Sequence, residues 1–247
     1  MADYQDQYAQ RNAPSRPMDA SIDQGLRSYM LGVYNYMGLG VALTGVVSLF
    51  VAMNPPLMAT IAMGPMKWVL FAGIFGLSWF APKIIFSSSI GVAHAVFWGY
   101  AALWGVLIAP MLFYFQQAGA TQVIAQAFFI TASVFGAVSL YGYTTKRDLS
   151  PMASFFFMAT IGLLVAIIVN AIFFQSDLVS LITSALVVLV FSGVTAFYTQ
   201  TVKEMYFQVT GAEERKRASI IGAFSLYSSF IVLFIHILNI LGIMRSE

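Results

Sequence analysis

The 247-residue chain contains no cysteine. Disulfides, thiolate metal sites and cysteine nucleophiles are therefore excluded. Charge is nearly as scarce. Only 9% of the residues are Asp, Glu, Lys or Arg, against about 25% in an ordinary soluble domain. So few charges cannot cover a water-facing surface of this size, which excludes a soluble globular fold. The net charge of +2 comes without a long basic run, so no nucleic-acid partner is expected. No nucleotide-cradling glycine loop, metal-ligand cluster or nucleophile triad appears, and the chain reads as a non-enzyme that needs no cofactor. A secretory signal is missing too. The first 28 residues are polar and include Asp3, Asp6, Asp19 and Asp23, where a signal needs a positive start and a short apolar core.

What is present is apolar: 60% of the residues are hydrophobic and the mean hydropathy is +0.82. The excess is spread along nearly the whole chain. Crossing about 30 Å of hydrocarbon takes roughly 20 mostly apolar residues. Seven stretches qualify: 29–53, 68–83, 90–115, 123–143, 151–174, 178–200 and 218–243. The expected fold is all-α, a polytopic seven-transmembrane-helix bundle. It divides into a polar tail, 1–28, and a single transmembrane domain, 29–247. Asn54-Pro55-Pro56 stops the first span, and the longest internal polar loop is read as 201–217, with Glu213-Glu214-Arg215-Lys216-Arg217.

Orientation follows from Lys and Arg in short flanks, which favour the cytoplasm. With the N-terminus inside, Arg11, Arg16, Arg27, Lys83, Lys146, Arg147, Lys203, Arg215, Lys216 and Arg217 fall on the cytoplasmic side. Lys67 and Arg245 fall outside. An N-in, C-out arrangement is expected, with membrane lipid as the immediate partner. Trp68 beside Lys67 reads as an interfacial anchor. Small residues recur four apart at Ala72 and Gly76, Ala101 and Gly105, and Ala132 and Gly136. In lipid such pairs let helix backbones approach closely, and ordinary helix packing explains them.

Ionisable groups inside a membrane are costly, and each is a functional candidate. None of the ten acids lies well inside a span. His94 and His236 are the two intramembrane residues able to titrate near neutral pH. His94 is expected to be a hydrogen-bonded packing residue. His236 has Asn239 three positions on, where the two share a helix face.

One stretch is distinctive: Tyr141-Gly142-Tyr143-Thr144-Thr145-Lys146-Arg147-Asp148-Leu149-Ser150. It resembles the central signature of the bacterial Bax inhibitor (YccA-like) membrane protein family. Phe191-Ser192-Gly193, Thr199-Gln200 and Lys203-Glu204-Met205-Tyr206 resemble that family's sixth-span motif. Leu226-Tyr227, Phe230-Ile231 and Leu233-Phe234 resemble its last-span motif, and Gly25 to Met30 is similar to proteobacterial members. The resemblance implies a multi-pass protein of the bacterial inner membrane. It also implies two aspartates, one in each of the last two motifs, that share a proton and gate a pH-sensitive Ca²⁺ or proton leak. Here Tyr198 and Ser229 stand at those two positions, and Val232 replaces a usual asparagine. A tyrosine and a serine cannot form a carboxylate switch at physiological pH.

Two readings follow. One is an interaction or accessory protein, conducting weakly or not at all: a subunit of a membrane complex or a modulator of a membrane-bound protease, as relatives suggest. The alternative is a Ca²⁺ or H⁺ leak channel or transporter. A direct hydrogen bond between Tyr198 and Ser229, joining the last two helices in place of the acid pair, is a further expectation.

Overall fold

A computed structural model describes residues 17–246. Most of the expected polar tail lies outside the described residues. Eight α-helices follow one another: α1 Pro17–Ala52, α2 Pro55–Met63, α3 Met66–Ser87, α4 Ile90–Gln117, α5 Thr121–Thr144, α6 Ala153–Val169, α7 Asp177–Gln208 and α8 Ala212–Ser246. A 3-10 turn, Ser150–Met152, leads into α6, and a π-helical segment, Asn170–Phe174, extends it. Seven of these stretches are long and apolar enough to cross a membrane, and α2 is the short exception. No strand occurs among the described residues.

Helix ends are set by hydrogen bonds, and hydropathy locates them only approximately. Asn54 caps α2 by accepting from the Leu57 N–H, with Pro55 and Pro56 in the first turn, where a missing N–H costs nothing. Ser89 and Ser176 cap α4 and α7 in the same way. Three expected boundaries shift accordingly. The stretch 53–65 holds the nine-residue helix α2 in place of the plain stop expected there. The second span runs from Met66 to Ser87, through Pro82; inside a bundle a proline costs one ladder bond without ending the helix. The loop read as 201–217 shrinks to residues 209–211, because α7 and α8 continue past the hydrocarbon into water. At about 1.5 Å per residue, 35 residues make α8 far longer than the membrane is thick.

The last helix is the centre of the molecule. α8 packs against α7, α1, α5, α4 and α3, and half of its apolar window is buried. α6 sits at the periphery on α7, with 6% of its window buried, and turns Phe155, Phe157 and Met158 outward. Leu226, Tyr227, Leu233 and Leu238 of α8 are sealed from solvent, as are Phe97 and Tyr100 of α4.

Lipid gives helices no hydrophobic reason to associate, so close contact and hydrogen bonding must hold them together. Gly142 of α5 lies against the backbone of Ala196 on α7. Gly105 of α4 meets Thr44 and Val47 of α1. Of the three small-residue pairs, Ala101 and Gly105 therefore form a tight crossing. A Cβ on Gly76 or Gly136 would meet nothing within 4 Å, so neither glycine seats a neighbouring helix. Lys67 stands over the exposed Trp68 ring at 5.8 Å, the pairing expected of an interfacial anchor.

Candidate functional site

Between α1, α3, α4, α5, α7 and α8 the bundle is threaded by hydroxyl groups, and each chain of them ends on a helix carbonyl. Thr44 donates to Gly40 and Ala101 carbonyls at 2.9 and 3.0 Å, so the Tyr227 hydroxyl, 2.6 Å away, is the donor to Thr44 Oγ1. Ser78 donates to the Ile74 carbonyl and accepts from Tyr100 at 2.8 Å, while Ser228 points at the same tyrosine oxygen from α8. Thr199 donates to Thr195, Ser139 to Thr199 at 2.9 Å, and Tyr34 to Ser139 at 2.6 Å. Every polar group along these chains is neutral and paired, as an interior of low dielectric requires.

Ser229 lies in this region with no exposed surface, and its hydroxyl donates back to the Ser225 carbonyl of its own helix at 3.2 Å. Tyr198 packs beside Phe197, with 5.6 Å between ring centroids, on the flank of the same core. The expected hydrogen bond between Tyr198 and Ser229 is not formed. A serine in a helix satisfies itself on the carbonyl four residues back, so Ser229 has no proton left to offer across the interface.

The two histidines lie at opposite ends of the bundle. His94 is one turn into α4, half-buried, with its ring 5.6 Å from that of Tyr36 on α1. It makes no hydrogen bond among the described residues, so the expected hydrogen-bonded role is replaced by ring packing.

His236 and Asn239 do share a face of α8, and that face is met by a serine pair on α7. Asn239 Nδ2 donates to Ser180 Oγ at 2.8 Å and to Ser184 Oγ at 2.9 Å, and His236 Nδ1 is 3.1 Å from Ser184 Oγ. Ser184 accepts from Asn239 and so donates to Nδ1, which leaves the histidine proton on Nε2. These groups line a polar cleft of about 380 Å³ that also takes in Asn170, Asp177 and Thr183. Asn170 closes its rim. Its side chain bonds both the N–H and the C=O of Ser176 at 3.2 Å, holding a turn in which Gln175 is left-handed. Sequence reasoning missed Ser180 and Ser184. Their spacing from Asp177, three and seven residues on one helix face, was the available signal.

With this geometry in hand, the chain can be set beside known proteins. The family described as inhibitor of apoptosis-promoting Bax1 matches residues 26–246. An uncharacterized protein of Rickettsia prowazekii is 40% identical over 235 residues, covering 92% of this chain and 94% of that one. An uncharacterized protein of Deinococcus radiodurans is 38% identical over 222 residues, 89% and 92% of the two chains. The inner membrane protein YbhL of Escherichia coli K12 is 35% identical over 232 residues, 92% and 97% of the two chains.

This chain belongs to the Bax inhibitor family.

The Bax inhibitor signature after α5 is, in this chain, a clamped turn. Gln200 of α7 accepts from the Leu149 N–H at 2.8 Å through Oε1 and donates to the Arg147 carbonyl at 2.9 Å through Nε2. Lys203, one turn on, donates to the Tyr143 carbonyl at 2.9 Å and sits 5.0 Å from that tyrosine ring. Thr145 accepts from the Arg147 N–H, and Asp148 accepts from the Ser150 N–H to open the 3-10 turn. These residues of the motif thus keep a short polar connection folded at the membrane surface.

Asp148 gives a pH prediction. The Ser150 backbone and side-chain hydrogen bonds hold its carboxyl below the usual carboxylate range. A lowered folded-state value adds stability that is present above the unfolded value of about pH 4 and is lost as pH falls through the folded value. The melting-temperature gap between wild type and Asp148→Ala in detergent is expected to be constant near neutrality and to close in acid. A gap that stays unchanged down to about pH 2 contradicts the assignment.

Proposed function

We propose that this Bax inhibitor family member is an inner-membrane accessory protein that conducts ions weakly or not at all. It acts by contact, as a subunit of a membrane complex or a modulator of a membrane-bound protease, and carries no catalytic step. The name of YbhL, an inner membrane protein, supports the location. The observation that carries the reading is Ser229. It is sealed from solvent, and its hydroxyl is spent on its own helix where the family resemblance implies an acid. Around it the hydroxyl chains of Tyr227, Tyr100 and Tyr34 end on backbone carbonyls, and none of these chains contains a carboxylate or an imidazole.

A second reading, a cation leak, draws on the cleft at His236 and Asn239, whose polar wall reaches into the last two helices. Both are tested by Ca²⁺ and proton flux into liposomes at about pH 6 and about pH 8, the range in which histidine titrates. The accessory reading expects no flux above empty liposomes at either pH from wild type. The variant Tyr198→Asp with Ser229→Asp is expected to add a pH-dependent leak. Robust wild-type flux that His236→Ala removes would overturn the accessory reading in favour of the leak.

A further inference from the structure

We infer that the groove between α1 and α5, at the end of the bundle where Arg27 lies, holds an anionic phospholipid. α1 and α5 pack on separate flanks of α8. What joins them directly is a side-chain hydrogen bond, Tyr34 to Ser139 at 2.6 Å. The gap that remains is a groove of about 580 Å³, walled by Met30, Leu31, Phe135, Gly136 and Leu140. Its wall is almost purely apolar, because Ser139 is also tied to Thr199 and so presents no unmet polar group. Gly136 opens it further: a side chain there would touch nothing within 4 Å. Gly136, whose missing side chain meets no neighbouring helix, thereby acquires a use as the open side of an acyl-chain track.

Charge distinguishes this groove from ordinary lipid-facing surface. Arg27 and Tyr143 stand at one end of it. Arg27 is exposed. Lys203 reaches the same tyrosine, bonding its carbonyl and lying over its ring. Lys146 and Arg147 follow in the adjoining turn. A cationic rim above an apolar slot between transmembrane helices is the arrangement that takes a phosphate headgroup with its acyl chain. The chain lies along Leu31 and Leu140, and Arg27 meets the phosphate.

The test uses the full-length protein in mild detergent. Native mass spectrometry scores bound phosphatidylglycerol against phosphatidylcholine of the same acyl chains. Wild type is expected to favour the anionic lipid about five-fold for the loss or gain of one cation contact. Arg27→Gln is expected to abolish that preference while binding of both lipids persists. Gly136→Leu is expected to lower occupancy by both lipids. Melting temperatures in lipid-free detergent monitor the fold, and both variants alter outward-facing positions. Equal binding of the two lipids by wild type, or variants that match wild type, would overturn the proposal. So would inorganic phosphate competing away the lipid at equal concentration, since that places recognition in the headgroup alone.

Discussion

Gly142→Ala is expected to destabilise the protein by about 3 kcal/mol, the upper part of the range for overpacking. The new methyl group would fall on the Ala196 carbonyl oxygen and within 2.8 and 2.9 Å of its Cα and carbonyl carbon. These are backbone atoms of a helix, so no side chain can swing aside. The α5 and α7 axes must separate instead. Separation would stretch three links that cross the same seam: Ser139 to Thr199, Gln200 to the Arg147 and Leu149 backbone, and Lys203 to Tyr143. Gly136, six residues earlier on the same helix, is the internal control. Its Cβ would enter open space, so Gly136→Ala is expected to be neutral or to stabilise by about 0.5–1 kcal/mol through the lower entropy of the unfolded chain. Thermal unfolding of both variants in one detergent decides the matter. Equal melting temperatures would show that the α5–α7 seam tolerates extra volume.

That contrast bears on what was legible beforehand. The seven spans could be read because lipid imposes a length and a composition on every one of them. Gly142 stood in the recognised signature, yet nothing local marked it as a contact while Gly136 was not. The difference lies in which helix arrives opposite, and that is set by residues about fifty positions away. Ser180 and Ser184 were hidden for the same reason. His236 and Asn239 could be placed on one face by their spacing, but a partner on α7 is a tertiary fact. The expected Tyr198–Ser229 bond failed on a local competition, since the Ser229 hydroxyl is already spent on the Ser225 carbonyl of its own helix. The misread loop at 201–217 failed differently. Hydropathy reports where lipid ends, and a helix carrying Glu213 and Arg217 in a salt bridge four residues apart can continue into water. At its start Arg217 also holds the Phe86 carbonyl of α3 at 3.0 Å, so this polar turn is tied to the bundle.

Gln200→Leu is expected to open the turn at 145–149 and to cost about 2–4 kcal/mol. The side chain is nearly buried and serves two backbone groups at once, the Leu149 N–H and the Arg147 C=O. Leucine fills similar space but leaves both groups unpaired, and a buried unsatisfied group costs about 1–3 kcal/mol. Leu149 is itself buried, so its N–H cannot turn to water without pulling its side chain out of the core. The turn carries Lys146 and Arg147, and limited trypsin digestion therefore reads its opening directly. Wild type is expected to be cut slowly there and Gln200→Leu quickly, with a lower melting temperature. Gln200→Glu separates the two bonds. A carboxylate still accepts from Leu149 but cannot donate to Arg147, so its cleavage rate is expected to fall between the other two. If all three proteins are cut alike, the Bax inhibitor signature in this chain is held by something other than the Gln200 clamp. The burial of Leu149, and the Lys203 link to Tyr143, would then be the contacts to remove next.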